Sequence, residues 1–261
     1  MLRSLYTAAT GMEAQQLKMD VISHNLANAS TTGFKKVRAE FEELLSETIR
    51  DVAPTEADGG TPPAPLQVGL GVKTGATSRS FGTGDMINTQ NELDVAIEGH
   101  GFFQVIRPGG ELAYTRAGNF RVDGLGRLVT QRGEILDPEI SFPPDTTEVS
   151  IDGDGTVRVR TAGADATTEV GVLELSTFVN PNGLLSIGGN LFVATESSGP
   201  AMYARPGERG VGTLAQGFLE SANVKAVEEM IDMITTQRSY ELSSKVIQTA
   251  DQMLQRLTQL R

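Results

Sequence analysis

SHNLANASTTGFKK, residues 23–36, is the stretch from which the rest of the chain can be organised. It closes a helical pattern that begins with the first residues. Leu2, Leu5, Ala9, Met12, Met19 and Leu26 recur at three–four spacing, with Gln16 and Ser23 in the two gaps. That spacing predicts one helix from about Leu2 to Ala27 with a single apolar stripe, as narrow as a coiled-coil seam. Gly11 weakens it by roughly 1 kcal/mol relative to Ala. The pattern then stops in two asparagines, a Ser/Thr run, a glycine, a phenylalanine and two lysines. Nothing nearby supplies a ligand for so polar a motif.

Outward from this stretch the chain changes character three times. Residues 34–49, FKKVRAEFEELLSETI, read as either a helix or an extended arm, and Arg50–Pro65 holds four prolines and two adjacent glycines, the composition of a linker. From Gln67 to about Gly217 short runs rich in Val, Phe, Tyr and Ile alternate with Pro-Gly-Gly, Ala-Gly-Asn and Asp-Gly turns. This predicts an all-β region, sandwich or barrel, with Tyr114, Phe120, Val122, Leu128 and Val129 in the core of one meander. Ala222–Leu260 contains neither Gly nor Pro and reads as one helix of about 55 Å, with Ser221 or Asn223 as N-cap. The fold class is therefore α+β.

The second helix has its own stripe. Ile231, Ile234, Arg238, Leu242, Val246, Ala250, Met253, Leu257 and Leu260 step by three or four, and Ile231, Leu242 and Met253 are 11 apart. An 11-residue period favours a nearly straight or slightly right-handed supercoil. Isolated helices are marginal in water, so the economical arrangement packs the two termini on each other and then on neighbouring copies. Repetition without two-fold closure gives an open helical polymer. A plain two-helix cap on a globular domain explains the periodicity as well.

Composition narrows the function classes. A net charge of -11 argues against nucleic acid as a partner. With no Cys there is no disulfide, thiolate or Cys-type zinc site, and two histidines, His24 and His100, cannot build a histidine-rich metal centre. No stretch approaches a bilayer span, and the N-terminus lacks the apolar core of a cleavable secretory signal. Asp152 and Asp154 in IDGDGTVRV resemble part of a calcium loop, but the twelfth position is Gly163, so a hairpin turn is the better reading. Lys73-Thr74-Gly75 has no Ser-x-x-Lys to accompany it, and no P-loop occurs. No cofactor, metal or catalytic group is expected.

Three blocks carry a family resemblance. NLANASTTGFKK, directly after an N-terminal helix, is similar to the signature of the flagellar rod and hook axial proteins. SANVKAVEEMIDMITTQRSYELSSKVIQTADQMLQRLTQL resembles their C-terminal helix. DVAIEGHGFFQV with YTRAGNFRVDGLGRLVT resembles their central β domain. Length, the segment from about Glu42 to Leu66 and the ending ADQMLQRLTQL favour the distal part of the rod; a proximal rod or hook protein is the alternative. The resemblance implies a structural subunit, not an enzyme, that self-polymerises into a hollow shaft in the basal body across the periplasm. It implies export without a cleavable signal peptide by the flagellar type III apparatus. The implied partners are further copies, proximal rod proteins, hook or hook-junction subunits, and the L- and P-ring proteins.

It also implies roles for residues. Asn25, Leu26, Asn28, Thr31, Thr32, Gly33, Phe34 and Lys35 form a self-assembly motif. In it Asn25, Asn28, Thr31 and Thr32 turn or cap the chain, Gly33 permits a backbone angle other residues resist, and Phe34 anchors by burial. Lys35 and Lys36 either meet acidic groups of a neighbour, such as Glu40, Glu42 or Glu43, or stay in water. The helix seams are Leu2, Leu5, Met12 and Met19, with Ile231, Ile234, Leu242, Val246, Ala250, Met253, Leu257 and Leu260. Three regions are expected: 1–32 with 222–261 as the helical assembly domain, 33–92 with 196–221 as linker and connecting β region, and 93–195 as outer β domain. A type III-exported module binding one partner helix, and a hydrolase acting on cell wall, are the rival classes.

Overall fold

The computed structural model describes residues 2–50, 65–163 and 166–259. Most of the Arg50–Pro65 linker and Leu260 lie outside the described residues, as do the side chains of Leu2 and Leu257. The chain has a helix at each end and a many-stranded β region between, an α+β fold. It divides into two compact units: residues 1–26, 37–78 and 226–261 in one, and 27–36 and 79–225 in the other. No described helix is long and apolar enough to cross a membrane.

The first unit contains both helices, α1 (Leu2–Ala27) and α2 (Ala226–Gln259). Two contacts fix their pairing. Asn25 Nδ2 donates to Glu229 Oε2 at 3.1 Å, and a Cβ on Gly11 would lie 3.8 Å from Ser243 Oγ. The partners are 14 residues apart on both helices and run in opposite senses, so the pair is antiparallel and in constant register. Glu228 and Glu229 occupy the first turn of α2, where the positive end of the helix dipole favours them. The segment that reads as helix or arm is extended: Val37–Glu43 pairs with Val72–Arg79, and Ser46–Arg50 with Leu66–Gly69. Lys73-Thr74-Gly75 is simply part of a strand, its lysine 2.8 Å from Glu42.

The second unit is a nine-stranded antiparallel sheet with smaller sheets against it. Phe102–Ile106 lies at its centre, flanked by Leu112–Thr115, Ile135–Asp137 and Leu175–Thr177. Successive side chains of a strand face opposite ways, and this strand is covered on both sides. Phe103 and Val105 enter the larger core with Leu128, Leu136 and Leu175. That core also takes Val149, Ile151, Val157 and Val159 from a three-stranded sheet, so sheets pack face to face, as in a sandwich. Phe102 joins Tyr114, Phe178, Leu184 and Phe192 in a second cluster, held by edge-to-face ring contacts. Of the expected meander core Tyr114, Phe120, Leu128 and Val129 are buried, but Val122 is 42 % exposed. Its two-residue strand is the last in the nine-stranded sheet, and both of its residues are exposed. The Asp152–Gly155 segment is a hairpin turn, with Asp152 N donating to Thr156 O at 3.0 Å.

Candidate assembly site

Two stretches carry the expected site: the terminal helices in the first unit, and the turn motif, most of which belongs to the second.

In the helical pair the stripe facing α1 is not the apolar one read from sequence. Glu229, Thr236 and Ala250 are buried and Ser243 is half-buried, at steps of seven. Met233, Ile247 and Leu254, four residues after three of these, are also half-buried. On α1 the buried positions are Ala14, Ile22 and Asn25, while none of Leu5, Met12, Met19 or Leu26 is fully buried. The expected α2 seam is turned outward: Ile231, Ile234, Leu242, Val246 and Met253 are 46–65 % exposed, and only Ala250 of its described members is buried. The physical reason is size. Gly11, Ala14, Thr236, Ser243 and Ala250 let two backbones approach, which larger side chains prevent. A seven-residue row drifts about 20° one way per repeat and an 11-residue row about 20° the other way. The two rows on α2 are therefore nearly opposite in its first half and about a quarter-turn apart in its second. Both periods are present, and α1 uses the heptad one.

Asn25 spends its side chain at the end of α1. Its Nδ2 donates to Val37 O at 2.8 Å as well as to Glu229, and its Oδ1 accepts from Val37 N at 2.9 Å. It ties helix end, outgoing strand and α2 together, which is more than capping.

In the second unit the remaining motif forms a turn. Thr31 N donates to Asn28 O at 3.0 Å, Thr31 Oγ1 to Asn28 Oδ1 at 3.3 Å, and Phe34 N to Thr31 O at 3.2 Å. Thr32 O accepts from Asn190 Nδ2 at 2.8 Å. Gly33 has φ +69°, and a Cβ there would sit 2.7 Å from Ala117 N, so both backbone angle and space call for glycine. Phe34 is buried, under the Arg79 guanidinium.

Lys35 corrects the sequence reading. It is neither solvated nor paired with Glu40, Glu42 or Glu43; it is fully buried against Glu220, Nζ to Oε1 2.6 Å, and also donates to Gly82 O at 2.7 Å. Glu220 Oε1 takes a further bond from Gly84 N at 2.8 Å. Its Oε2 accepts no hydrogen bond among the described residues and lies 3.7 Å from Arg116 Nη1. Arg116, equally buried, donates to Ile97 O and Gly99 O. Burial pushes Lys35 below its ordinary pKa, the Arg116 charge adds to that, and Glu220 opposes it. Asn223 is not the N-cap of α2, which begins at Ala226. Its side chain accepts from Lys36 N and donates to Ser80 O and Gly82 O. Sequence reasoning missed Arg116 and Glu220 and gave Asn223 the wrong role; no local pattern marks them, because their partners are distant along the chain.

Comparison with known proteins names what this architecture belongs to. Three family models match: "Flagella basal body rod protein" over residues 5–35, "Flagellar hook protein FlgE/F/G D1 domain" over 96–159, and "Flagellar basal body rod FlgEFG protein C-terminal" over 215–260. The first and last cover the two blocks that frame the resemblance. Relatives called flagellar basal-body rod protein FlgG align along both chains. That of Caulobacter vibrioides is 47 % identical and that of Buchnera aphidicola (Schizaphis graminum) 46 %, each over 100 % of both chains. That of Borreliella burgdorferi is 45 % identical over 97 % of both. With sequence similarity spanning end to end and both terminal blocks matched, the chain belongs to the FlgG family of flagellar basal-body rod proteins.

Proposed function

We propose that this structural subunit of the flagellar basal-body rod assembles through the outward face of α2. The observation that carries the reading is a helix with apolar residues on two faces. One is closed by α1, while Ile231, Ile234, Leu242, Val246 and Met253 stand in water. Single exposed apolar residues are ordinary, but a row of five along one helix marks an interaction surface. Beside it a groove of about 1050 Å³ is lined by Thr7, Ala8, Val68, Leu242 and Val246, among others, in the same unit. A copy packed there leaves its own row open to the next copy, which yields a filament rather than a closed dimer.

On this reading the role is structural rather than enzymatic and needs no cofactor. The rod's distal segment is the place that length and family favour. Proximal rod and hook or hook-junction subunits then lie at its ends, the L- and P-ring proteins around it, and the type III apparatus delivers it across the periplasm. The test is Leu242→Asp or Met253→Asp. A charge in a closed apolar contact costs about 2–4 kcal/mol or more. Filament formation by the purified protein should therefore be lost, at an unchanged melting temperature for the β unit. Normal filaments from either variant would refute the assignment of this face.

A further inference from the structure

Lys35 sits in a buried node of three charged groups. Two chain legs meet there inside one unit: the outgoing leg, 31–36, and the returning leg, 218–225. They are joined by Gly33 N to Glu220 O at 2.8 Å, Lys36 N to Asn223 Oδ1 at 2.7 Å, and the Lys35–Glu220 pair. Among the described residues the node holds two buried cations, Lys35 and Arg116, and one buried carboxylate, Glu220. The three charges come from three places in the chain. Lys35 arrives with the outgoing leg, Glu220 with the returning leg, and Arg116 is fixed on the sheet, its guanidinium 5.8 Å from the Phe102 ring centre.

We propose that Glu220 makes docking of the outgoing leg conditional on the returning leg, so that the two ends of the chain are ordered as a pair and the returning end comes first. With only the returning leg in place, Glu220 faces Arg116 and the charges balance. With only the outgoing leg in place, two buried like charges face each other with no counter-charge, a costly state. The outgoing leg would also lack acceptors for Gly33 N and Lys36 N, both supplied by the returning leg. The coupling is reciprocal in free energy, but the favoured half-docked state is one-sided. A subunit that works by presenting both terminal helices gains a safeguard: a chain with its C-terminal leg loose does not fix its N-terminal motif.

Amide hydrogen exchange on the dilute full-length protein tests this. Glu220→Gln keeps one acceptor oxygen for Lys35 and Gly84, while it removes the charge and turns the oxygen nearest Arg116 into an NH2 donor. It should speed exchange at 31–36 and at 218–223 together, by about tenfold or more, or about 1.4 kcal/mol, while Phe102–Ile106 stays protected. Lys35→Met leaves Glu220 with Arg116, so the returning leg should stay within about threefold of the parent. Lys35→Met with Glu220→Gln removes one cation with the anion and should restore protection of both legs. If Glu220→Gln opens only 218–223, if Lys35→Met opens the returning leg, or if the double variant is as open as Glu220→Gln, the proposal falls. Should Glu220→Gln fail to accumulate as folded protein, the double variant decides: folded and protected at 31–36 upholds it, unprotected there overturns it.

Discussion

The two units treat their apolar side chains in opposite ways. In the β unit Phe103, Val105, Leu128 and Leu175 have no exposed surface at all, and both faces of the central strand are covered. In the helical unit Leu242 and Ile231 are more exposed than buried, on a helix whose inner face is closed by Gly, Ala, Ser and Thr. The β unit has placed most of its large apolar side chains in two buried clusters, and the apolar residues it leaves exposed, such as Leu125, Val179 and Leu185, lie in separate loops and edge strands rather than along one helix. The helical unit keeps Ile231, Ile234, Leu242, Val246 and Met253 exposed in one row. Burying a valine, leucine, isoleucine or methionine side chain is worth about 1.5–3 kcal/mol, so the five in this row are a large reserve for binding. Sequence hydropathy cannot separate these cases, because a residue to be covered by a neighbouring molecule reads the same as one covered at home.

Truncating matched residues on the two sides should break the symmetry most visibly. Phe103→Ala empties a core site that also holds the edge-to-face contact with Phe120, centroids 5.0 Å apart. It should cost the isolated protein about 3–5 kcal/mol in denaturant unfolding of the β unit. Leu242→Ala should cost the same protein less than about 0.5 kcal/mol, its effect appearing instead as a raised concentration threshold for assembly. Equal losses in both variants would mean that the α2 row is already covered within the chain.

Glycines sharpen the contrast, because the sign reverses. At Gly33 a methyl group meets the Ala117 backbone at 2.7 Å under a positive φ, and Gly33→Ala should destabilise the β unit by about 1–3 kcal/mol. At Gly11 the nearest neighbour to a new Cβ is Ser243 Oγ at 3.8 Å, and the backbone is already helical. Gly11→Ala should raise helix stability by up to about 1 kcal/mol, read as increased helical circular dichroism on heating. A destabilising Gly11→Ala would show that the pair approaches more closely than this register allows.

Much of the architecture is legible in the sequence. The bounds of α1 follow from the three–four pattern ending at Ala27. The β region and its hairpins follow from alternation and turn residues, and Gly33 from the polar turn it closes. What was not legible has a common cause. The heptad row on α2 is made of Glu229, Thr236, Ser243 and Ala250, which carry almost no hydropathy signal, so the sequence shows only the apolar 11-residue row. For Lys35 the local sequence offers only water or a neighbour's acidic groups, because its counter-ion is 185 residues away, and lysine is rarely buried unless paired. Asn223 looked like a cap because asparagine before a helical run usually is one; here its three hydrogen bonds hold the outgoing leg and the 80–82 segment. Local patterns report propensity, and these residues are set by contacts between distant segments.

The smallest expected effect separates the units by how each holds a carboxylate. Asp123, in the β unit, sits below the usual carboxylate range chiefly because it accepts the Arg127 backbone N–H, with Leu125 N–H and the Arg127 side chain adding to this. Glu42, in the helical unit, is lowered by Lys73 alone, first through the hydrogen bond and then through charge. In both cases the folded state binds its proton less readily than the unfolded chain. The stabilisation is therefore present above about pH 4 and lost as pH falls through the folded value. Replacing either group by its amide should lower stability at pH 7, and the gap from the parent should close as the pH is taken down towards 2. Salt then distinguishes them. Half-molar NaCl should erase the effect of Glu42→Gln, an exposed pair screened by solvent ions, and leave most of the effect of Asp123→Asn, because backbone hydrogen bonds at a turn are screened little. If salt removed both effects equally, Asp123 would be acting as a surface charge and not as part of the turn that closes Arg121–Val122 on Leu128–Val129.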